Sequence, residues 1–159
     1  SGDLDSEESQ LQDAIMTAHN EVSRKYNDDE YRAGLEVLCL FKNNNKVTWY
    51  QVGAPYLSVI KRKQLIPINH PIDLSFDFSK EETLAPLPKN LLGVTGKLAL
   101  KVGSLRVGAD DRLLLISRSY VPHDIFKAKP ENLNIENVTN VLANESPELP
   151  FWVGMIGFR

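Results

Sequence analysis

The feature that most constrains the fold of this chain is a series of short apolar segments that come in pairs, each pair joined by a tight turn. The two clearest pairs are residues 34–41 with 47–52 and residues 56–60 with 64–68. Residues 43–46, Asn-Asn-Asn-Lys, favour a turn because asparagine tolerates the left-handed backbone conformation. Such pairs predict antiparallel hairpins, since parallel strands need long crossovers.

Strand patterns also dominate the second half of the chain. Alternating apolar residues cover 98–107, and the apolar stretch 112–117 predicts a fully buried strand. Residues 151–158 are apolar on both faces and predict a final strand, packed into a core or used as an interaction edge. Residues 69–90 carry several prolines and predict an irregular loop.

Helical periodicity precedes and interrupts these strands. A first helix is predicted over residues 6–25, with Ser6 as its N-cap, and His19 is expected at the surface. Its apolar residues recur at spacings of three and four: Leu11, Ile15, Ala18 and Val22. Two shorter helices are predicted at 123–127 and 133–143.

The order of these elements predicts the fold class. Strands outnumber helices and come in hairpins, which favours an α+β fold with an antiparallel β-sandwich and flanking helices over a doubly wound parallel sheet. A chain of 159 residues can bury a real core, and residues 1–159 are expected to form one domain.

Composition excludes several function classes. The net charge is -3, without the basic excess that nucleic-acid binding requires, so we expect no nucleic-acid partner. No apolar run is long enough for a membrane helix and no secretory signal is visible, so we expect a cytoplasmic protein that does not enter a membrane. Cys39 is the only cysteine, which rules out an internal disulfide, and we expect it to be a small buried hydrophobe.

Four stretches of the sequence carry a resemblance to a known family. Residues 33–36 are Ala-Gly-Leu-Glu, residues 50–57 form a strand-turn-strand around Gly-Ala-Pro, and residues 151–159 form an apolar end. Residues 110–120, Asp-Asp-Arg-Leu-Leu-Leu-Ile-Ser-Arg-Ser-Tyr, are the most specific. In this order they resemble segments of the PP2C-type (PPM) metal-dependent protein phosphatases, whose matching motif is Gly-Asp-Arg-Leu-Leu-Leu-Cys-Ser-Asp-Gly-Leu.

The resemblance implies a PP2C-like sandwich, but it covers only the carboxy-terminal portion of a family domain. The family's amino-terminal strands, which bear two metal-binding carboxylates, have no counterpart here. At three further positions where the resemblance implies acidic ligands, this chain has other residues. They are Ala54, Arg118 with Ser119, and Pro150 with Phe151.

These departures remove the chemistry that the family uses. Paired divalent metals generate a hydroxide nucleophile and need clustered carboxylates to hold them. Arg118 stays protonated at any working pH and offers no acceptor to a cation. It could fill the vacant pocket or bind a phosphate there, although pairing with Asp124 or exposure to solvent is the simpler interpretation. We therefore expect no catalytic residues, no metal and no cofactor.

Three functions remain open from the sequence. The first is a non-catalytic, pseudophosphatase-like module that binds a protein partner or a second copy of itself, in a regulatory or signalling role. The apolar end of the chain would supply the surface, through Phe151, Trp152, Met155 and Phe158. The second is a metal-dependent Ser/Thr phosphatase whose other ligands come from outside this sequence. The third is a small structural domain of a larger assembly.

Overall fold

The computed structural model describes residues 5–27, 33–53, 55–69, 90–94, 96–117, 125, 127–145 and 150–159. In chain order its elements are α1 (Ser6–Tyr26), β1 (Val37–Asn43), β2 (Lys46–Val52), β3 (Tyr56–Lys61), β4 (Gln64–Asn69), β5 (Lys101–Arg106), β6 (Arg112–Ile116), a 3₁₀ turn (Pro130–Asn132), α2 (Ile135–Glu145) and β7 (Val153–Gly157). All the pairs between described strands are antiparallel. The predicted α+β class with antiparallel sheets is therefore confirmed.

The chain divides into two compact units, Ser1–Gly53 with Asp73–Arg106 and Ala54–Ile72 with Val107–Arg159. The first unit holds a three-stranded sheet in the order β1-β2-β5, and the second holds a four-stranded sheet in the order β4-β3-β6-β7. The single domain expected over residues 1–159 stays a prediction. No helix in the described part of the chain is long and apolar enough to cross a bilayer.

The helix α1 packs its apolar side on the first sheet. Ile15 contributes to a buried cluster with Tyr50, Val52, Leu92 and Leu98. Leu11 and Val22 pack against that cluster as predicted, whereas Ala18 is exposed. Cys39 lies at the border of the cluster, half-buried, and burial raises the pKa of its thiol.

The start of α1 differs from the sequence prediction by one residue, since Asp5 is the N-cap in place of Ser6. The Asp5 side chain accepts a hydrogen bond of 2.8 Å from the backbone N–H of Glu8, and the Glu8 carboxylate accepts one of 3.2 Å from the backbone N–H of Asp5. This capping box satisfies two N–H groups that the first turn of a helix leaves without partners.

The expectation that His19 lies at the surface is wrong. Its side chain is buried, and its Nδ1 accepts a hydrogen bond of 2.8 Å from the backbone N–H of Gly93. The segment around Gly93 packs beside α1, so a polar residue off the apolar stripe is covered. The covering segment is 74 positions away in sequence, which periodicity along α1 cannot reveal.

The first strand is also less buried than its apolar sequence predicts. β1 begins at Val37, and its residues are only half-buried or exposed. β1 lies at the edge of its sheet, next to β2 alone among the described strands. An edge strand packs against fewer neighbours, so an apolar sequence does not by itself guarantee burial.

Tight turns join the hairpins as predicted. Asn44 adopts a φ of 51° between β1 and β2, and Arg62 and Lys63 adopt φ values of 48° and 60° between β3 and β4. Two consecutive left-handed residues match the twist of the flanking strands in a two-residue hairpin. Only the two end residues of the predicted loop over 69–90 are described. Of the short helix predicted over 123–127, residues 125 and 127 are described, and both are helical.

Candidate protein-binding edge

Among the described strands, β7 lies at one edge of the second sheet, beside β6. Two hydrogen bonds between Ser117 and Trp152 fix the start of β7. The backbone N–H of Ser117 donates to the carbonyl of Trp152 over 3.1 Å. The Ser117 hydroxyl accepts a hydrogen bond of 2.8 Å from the backbone N–H of Trp152. These two bonds continue the register that places Val153 opposite Ile116 and Gly157 opposite Arg112.

One face of this strand belongs to the core of the second unit. Phe151, Val153 and Met155 pack against a buried apolar cluster. The cluster comprises Tyr56, Ile60, Leu114, Ile116, Ile125, Leu133, Val138 and Leu142. Because α2 supplies Val138 and Leu142, this face of β7 is covered by the helix.

The surroundings of that face disfavour charge. Burial raises the pKa of the Tyr56 phenol, a member of the cluster. An ionised side chain placed among the same residues would meet the same loss of hydration. Arg112 keeps its charge near this cluster through polar contacts. Its Nη1 donates to the carbonyl of Leu133 over 3.2 Å and lies 3.6 Å from the Sδ of Met155.

The other face of β7 lies beside the buried Leu113 and Leu115 of β6 and carries two exposed side chains. Trp152 is 51% exposed and Ile156 is 39% exposed, on either side of Gly154. A Cβ atom added at Gly154 would lie 3.3 Å from Cζ3 of Trp152, so the indole ring lies along the strand above this glycine. Trp152, Gly154 and Ile156 therefore form a continuous apolar strip, which we call the β7 strip.

The sequence of β7 also differs from those of the other outer strands. Val-Gly-Met-Ile-Gly contains no charged residue and no proline. The other described outer strands carry such residues: β1 has Lys42, β4 has Pro67, and β5 has Lys101 and Arg106. Charges and prolines on an outer strand discourage pairing with another chain. β7 lacks both of these protections.

The residues that the resemblance places at the metal site are only partly within the described chain. Ala54, Arg118 and Ser119 lie outside it. Pro150 is exposed, and the Phe151 ring packs against the apolar cluster. Neither side chain has an oxygen to offer a divalent cation, so these two positions do not fit the metal ligands of the family. No group of three or more possible metal-binding side chains occurs among the described residues.

The surface predicted from Phe151, Trp152, Met155 and Phe158 is divided by the structure. Phe151 and Met155 turn toward the core, Trp152 is exposed, and Phe158 is half-buried. The sequence analysis missed Ile156 as the second exposed residue. Period-two alternation from Trp152 would have placed it on the same face of the strand.

Glu8 was also missed, although its burial is complete. Its Oε1 accepts a hydrogen bond of 2.7 Å from Thr48 and lies 3.0 Å from the Nζ of Lys46. The hydroxyl of Tyr50 donates to the backbone carbonyl of Glu8 over 2.8 Å. The hydrogen bond from Thr48 and the contact with Lys46 lower the pKa of this carboxyl. We assign it a structural role, because it attaches the start of α1 to β2.

Comparison with solved structures identifies the architecture. The chain superimposes on PppA, a key regulatory component of T6SS in Pseudomonas aeruginosa, with a TM-score of 0.69 and 15% identity over 94% of this chain and 70% of that one. It matches the Ser/Thr phosphatase Stp1 from Staphylococcus aureus with a TM-score of 0.70 and 16% identity, over 100% of this chain and 71% of that one. The chain has a PP2C-like fold.

A third PP2C-like structure gives the same result. The PPM Ser-Thr phosphatase MsPP from Mycobacterium smegmatis matches with a TM-score of 0.70 and 14% identity, over 95% of this chain and 74% of that one. No family model and no curated protein matches the sequence. At these identities the structures establish the PP2C-like fold of this chain, which the sequence resemblance implied.

Proposed function

We propose that this chain is a non-catalytic PP2C-like module that acts by binding a protein partner. One observation carries the proposal: Phe151, at a position where the resemblance implies an acidic metal ligand, packs its ring against an apolar cluster. The same strand presents the exposed β7 strip on its other face. A side chain packed against apolar residues cannot hold a metal ion for hydrolysis. An uncharged outer strand favours the binding of another protein.

The second half of the proposal, binding, is supported by the edge itself. Exposed apolar side chains on an edge strand without charges or prolines mark a site where another protein can bind. Such a protein buries apolar surface and forms backbone hydrogen bonds with the strand. Among the similar structures, PppA is a regulatory component of T6SS, which shows that this fold also occurs in proteins with regulatory roles. A regulatory role for this chain is part of the proposal.

The alternative is a metal-dependent phosphatase that obtains its ligands elsewhere. The test is hydrolysis of p-nitrophenyl phosphate by the protein with manganese and then with magnesium. We expect the rate to equal that of the buffer with metal alone. The R118D variant, which introduces a carboxylate at the position of the family motif, should be equally inactive, because Pro150 and Phe151 still supply no ligand. Metal-dependent turnover by the unaltered chain would refute the proposal.

A further inference from the structure

We infer that His19 is a pH-sensitive latch, which holds the segment of residues 91–94 on α1 while its imidazole is neutral and releases that segment when the imidazole is protonated. The inference goes beyond the proposed function, because it concerns a contact inside the first unit and needs no binding partner. It depends on three features: the direction of one buried hydrogen bond, the close approach of the segment to α1, and the uncharged surroundings of His19.

The hydrogen bond between His19 and Gly93 fixes the charge state of the imidazole. A backbone N–H can only donate, so Nδ1 of His19, which lies 2.8 Å from the nitrogen of Gly93, accepts. An imidazole nitrogen accepts only when it carries no proton, and both nitrogens of an imidazolium carry one. Protonation of the His19 ring and its bond to Gly93 therefore exclude each other.

The segment is attached to α1 through the backbone of Gly93. The carbonyl of Gly93 accepts a hydrogen bond of 2.6 Å from Nδ2 of Asn27, the C-cap of α1. Gly93 has a φ of 90°, and a Cβ atom added there would lie 2.3 Å from Cγ1 of Val22. The backbone thus lies directly against the helix and is buried. If the bond to His19 is lost, the N–H of Gly93 has no acceptor unless the segment moves into water.

The segment covers an apolar surface that its release would expose. Leu92 is buried in the cluster that also contains Ile15 of α1, and Val22 packs against the same cluster. Leu92 also exchanges two backbone hydrogen bonds with Leu35, of 2.9 and 3.1 Å. Movement of the segment away from α1 would therefore give water access to Leu92 and to the apolar side of the helix.

The described residues around His19 offer no counter-ion to an imidazolium. Segment 91–94 is uncharged, and burial raises the pKa values of the two titratable side chains below α1, Cys39 and Tyr50, so both are neutral near pH 7. Glu21, two positions along α1, does not share the face of His19 and pairs with Lys25 over 3.1 Å. The residues one turn away on α1 are also uncharged: Ile15, Met16, Val22 and Ser23.

The pH range of the latch follows from this exclusion. A histidine side chain in water has a pKa of about 6.5. Because only the released form takes up the proton, the equilibrium constant for release should rise about tenfold between pH 7.5 and pH 5.5. The latch is therefore fully closed above this range and is lost as the pH falls.

Amide hydrogen exchange on the unaltered chain tests the latch. The protection of the Gly93 amide, corrected for the intrinsic rate at each pH, should fall about tenfold from pH 7.5 to pH 5.5. Gly93 should also exchange faster than the buried Leu114 of β6, which shows local release. Constant protection of Gly93 over this range would overturn the inference. Equal protection of Gly93 and Leu114 would overturn it too, because Gly93 would then be released only by unfolding.

The H19N variant separates the hydrogen bond from the titration. The amide oxygen of asparagine can accept near the position of Nδ1 and does not titrate in this range. We expect the protection of Gly93 in H19N to be independent of pH. H123N, which removes a histidine of the second unit, is the matched control and should keep the tenfold change. A tenfold change that persists in H19N, or one that disappears in H123N, would assign the titration to another group and overturn the inference.

Discussion

At the residue scale, two buried polar side chains, Glu8 on α1 and Ser58 on β3, differ in how their hydrogen-bonding groups are satisfied. The Glu8 carboxylate is fully buried but accepts hydrogen bonds from Thr48 and from the backbone of Asp5. Ser58 on β3 is 1% exposed, and its hydroxyl has no hydrogen-bond partner among the described residues. A buried hydroxyl without a partner loses its hydration and gains nothing in return.

Replacing this hydroxyl should therefore stabilise the protein. We expect S58A to raise the free energy of unfolding by about 1 kcal/mol, because the change removes an unsatisfied group and little volume. Urea denaturation measures the difference. S104A, on the exposed side of β5, is the control and should stay within about 0.5 kcal/mol of the unaltered protein. A clear loss of stability in S58A would show that the hydroxyl has a partner after all.

At the scale of elements, the start of α1 shows how a helix boundary is chosen between two good candidates. Asp5 and Ser6 are both favourable N-caps. The choice falls on Asp5 because Glu8 then occupies the third helical position, where its carboxylate can reach back to the backbone of Asp5. Ser6 as N-cap would assign that position to Ser9, which cannot form the same box.

This assignment predicts unequal costs for two neighbouring alanine substitutions. D5A should lower the free energy of unfolding by about 1 kcal/mol, because the N–H of Glu8 loses its acceptor. S6A should change it by less than about 0.5 kcal/mol, since an exposed residue in the first turn tolerates alanine. Thermal and urea unfolding of the two variants would check this order. A larger loss of stability in S6A than in D5A would indicate that Ser6 is the N-cap.

At the scale of the whole molecule, stability should depend on pH through Glu8. Its pKa is lowered, first by the hydrogen bond from Thr48 and then by Lys46. Ionisation of the Glu8 carboxyl is therefore more favourable in the folded protein than in the unfolded chain. The stabilisation is complete above the pKa of the unfolded chain, about 4.3 for a glutamate, and is lost as the pH falls through the lower folded value.

The test is the pH dependence of unfolding for E8Q and its control E7Q. At neutral pH, E8Q should cost about 2 kcal/mol, because hydrogen bonds to a charged acceptor are replaced by weaker ones. Its stability should fall less steeply below about pH 4.5 than that of the unaltered protein. E7Q, which changes an exposed carboxylate on the same turn, should keep the original steepness. Equal profiles for E8Q and the unaltered chain would contradict the role of Glu8.

The sequence predicted the fold class well, because the relevant signals are local. The hairpin turns at 44–45 and 62–63, the strands β2 to β7 and the apolar face of α2 follow from alternation, periodicity and turn residues. For the candidate edge, the sequence indicated an apolar last strand and named Trp152 together with Phe151, Met155 and Phe158. Alternation places Trp152 on the opposite face from Phe151 and Met155, but it does not say which of the two faces α2 covers.

What the sequence alone determined is the succession of antiparallel strands and helices, since each is encoded within a few consecutive residues. Only the tertiary structure decided that His19 is covered by Gly93, that Glu8 is buried against Thr48, and that β7 is an outer strand. The physical reason is the same in each case. Burial and strand order depend on contacts between residues far apart in the chain, and those contacts leave no periodic trace in either segment.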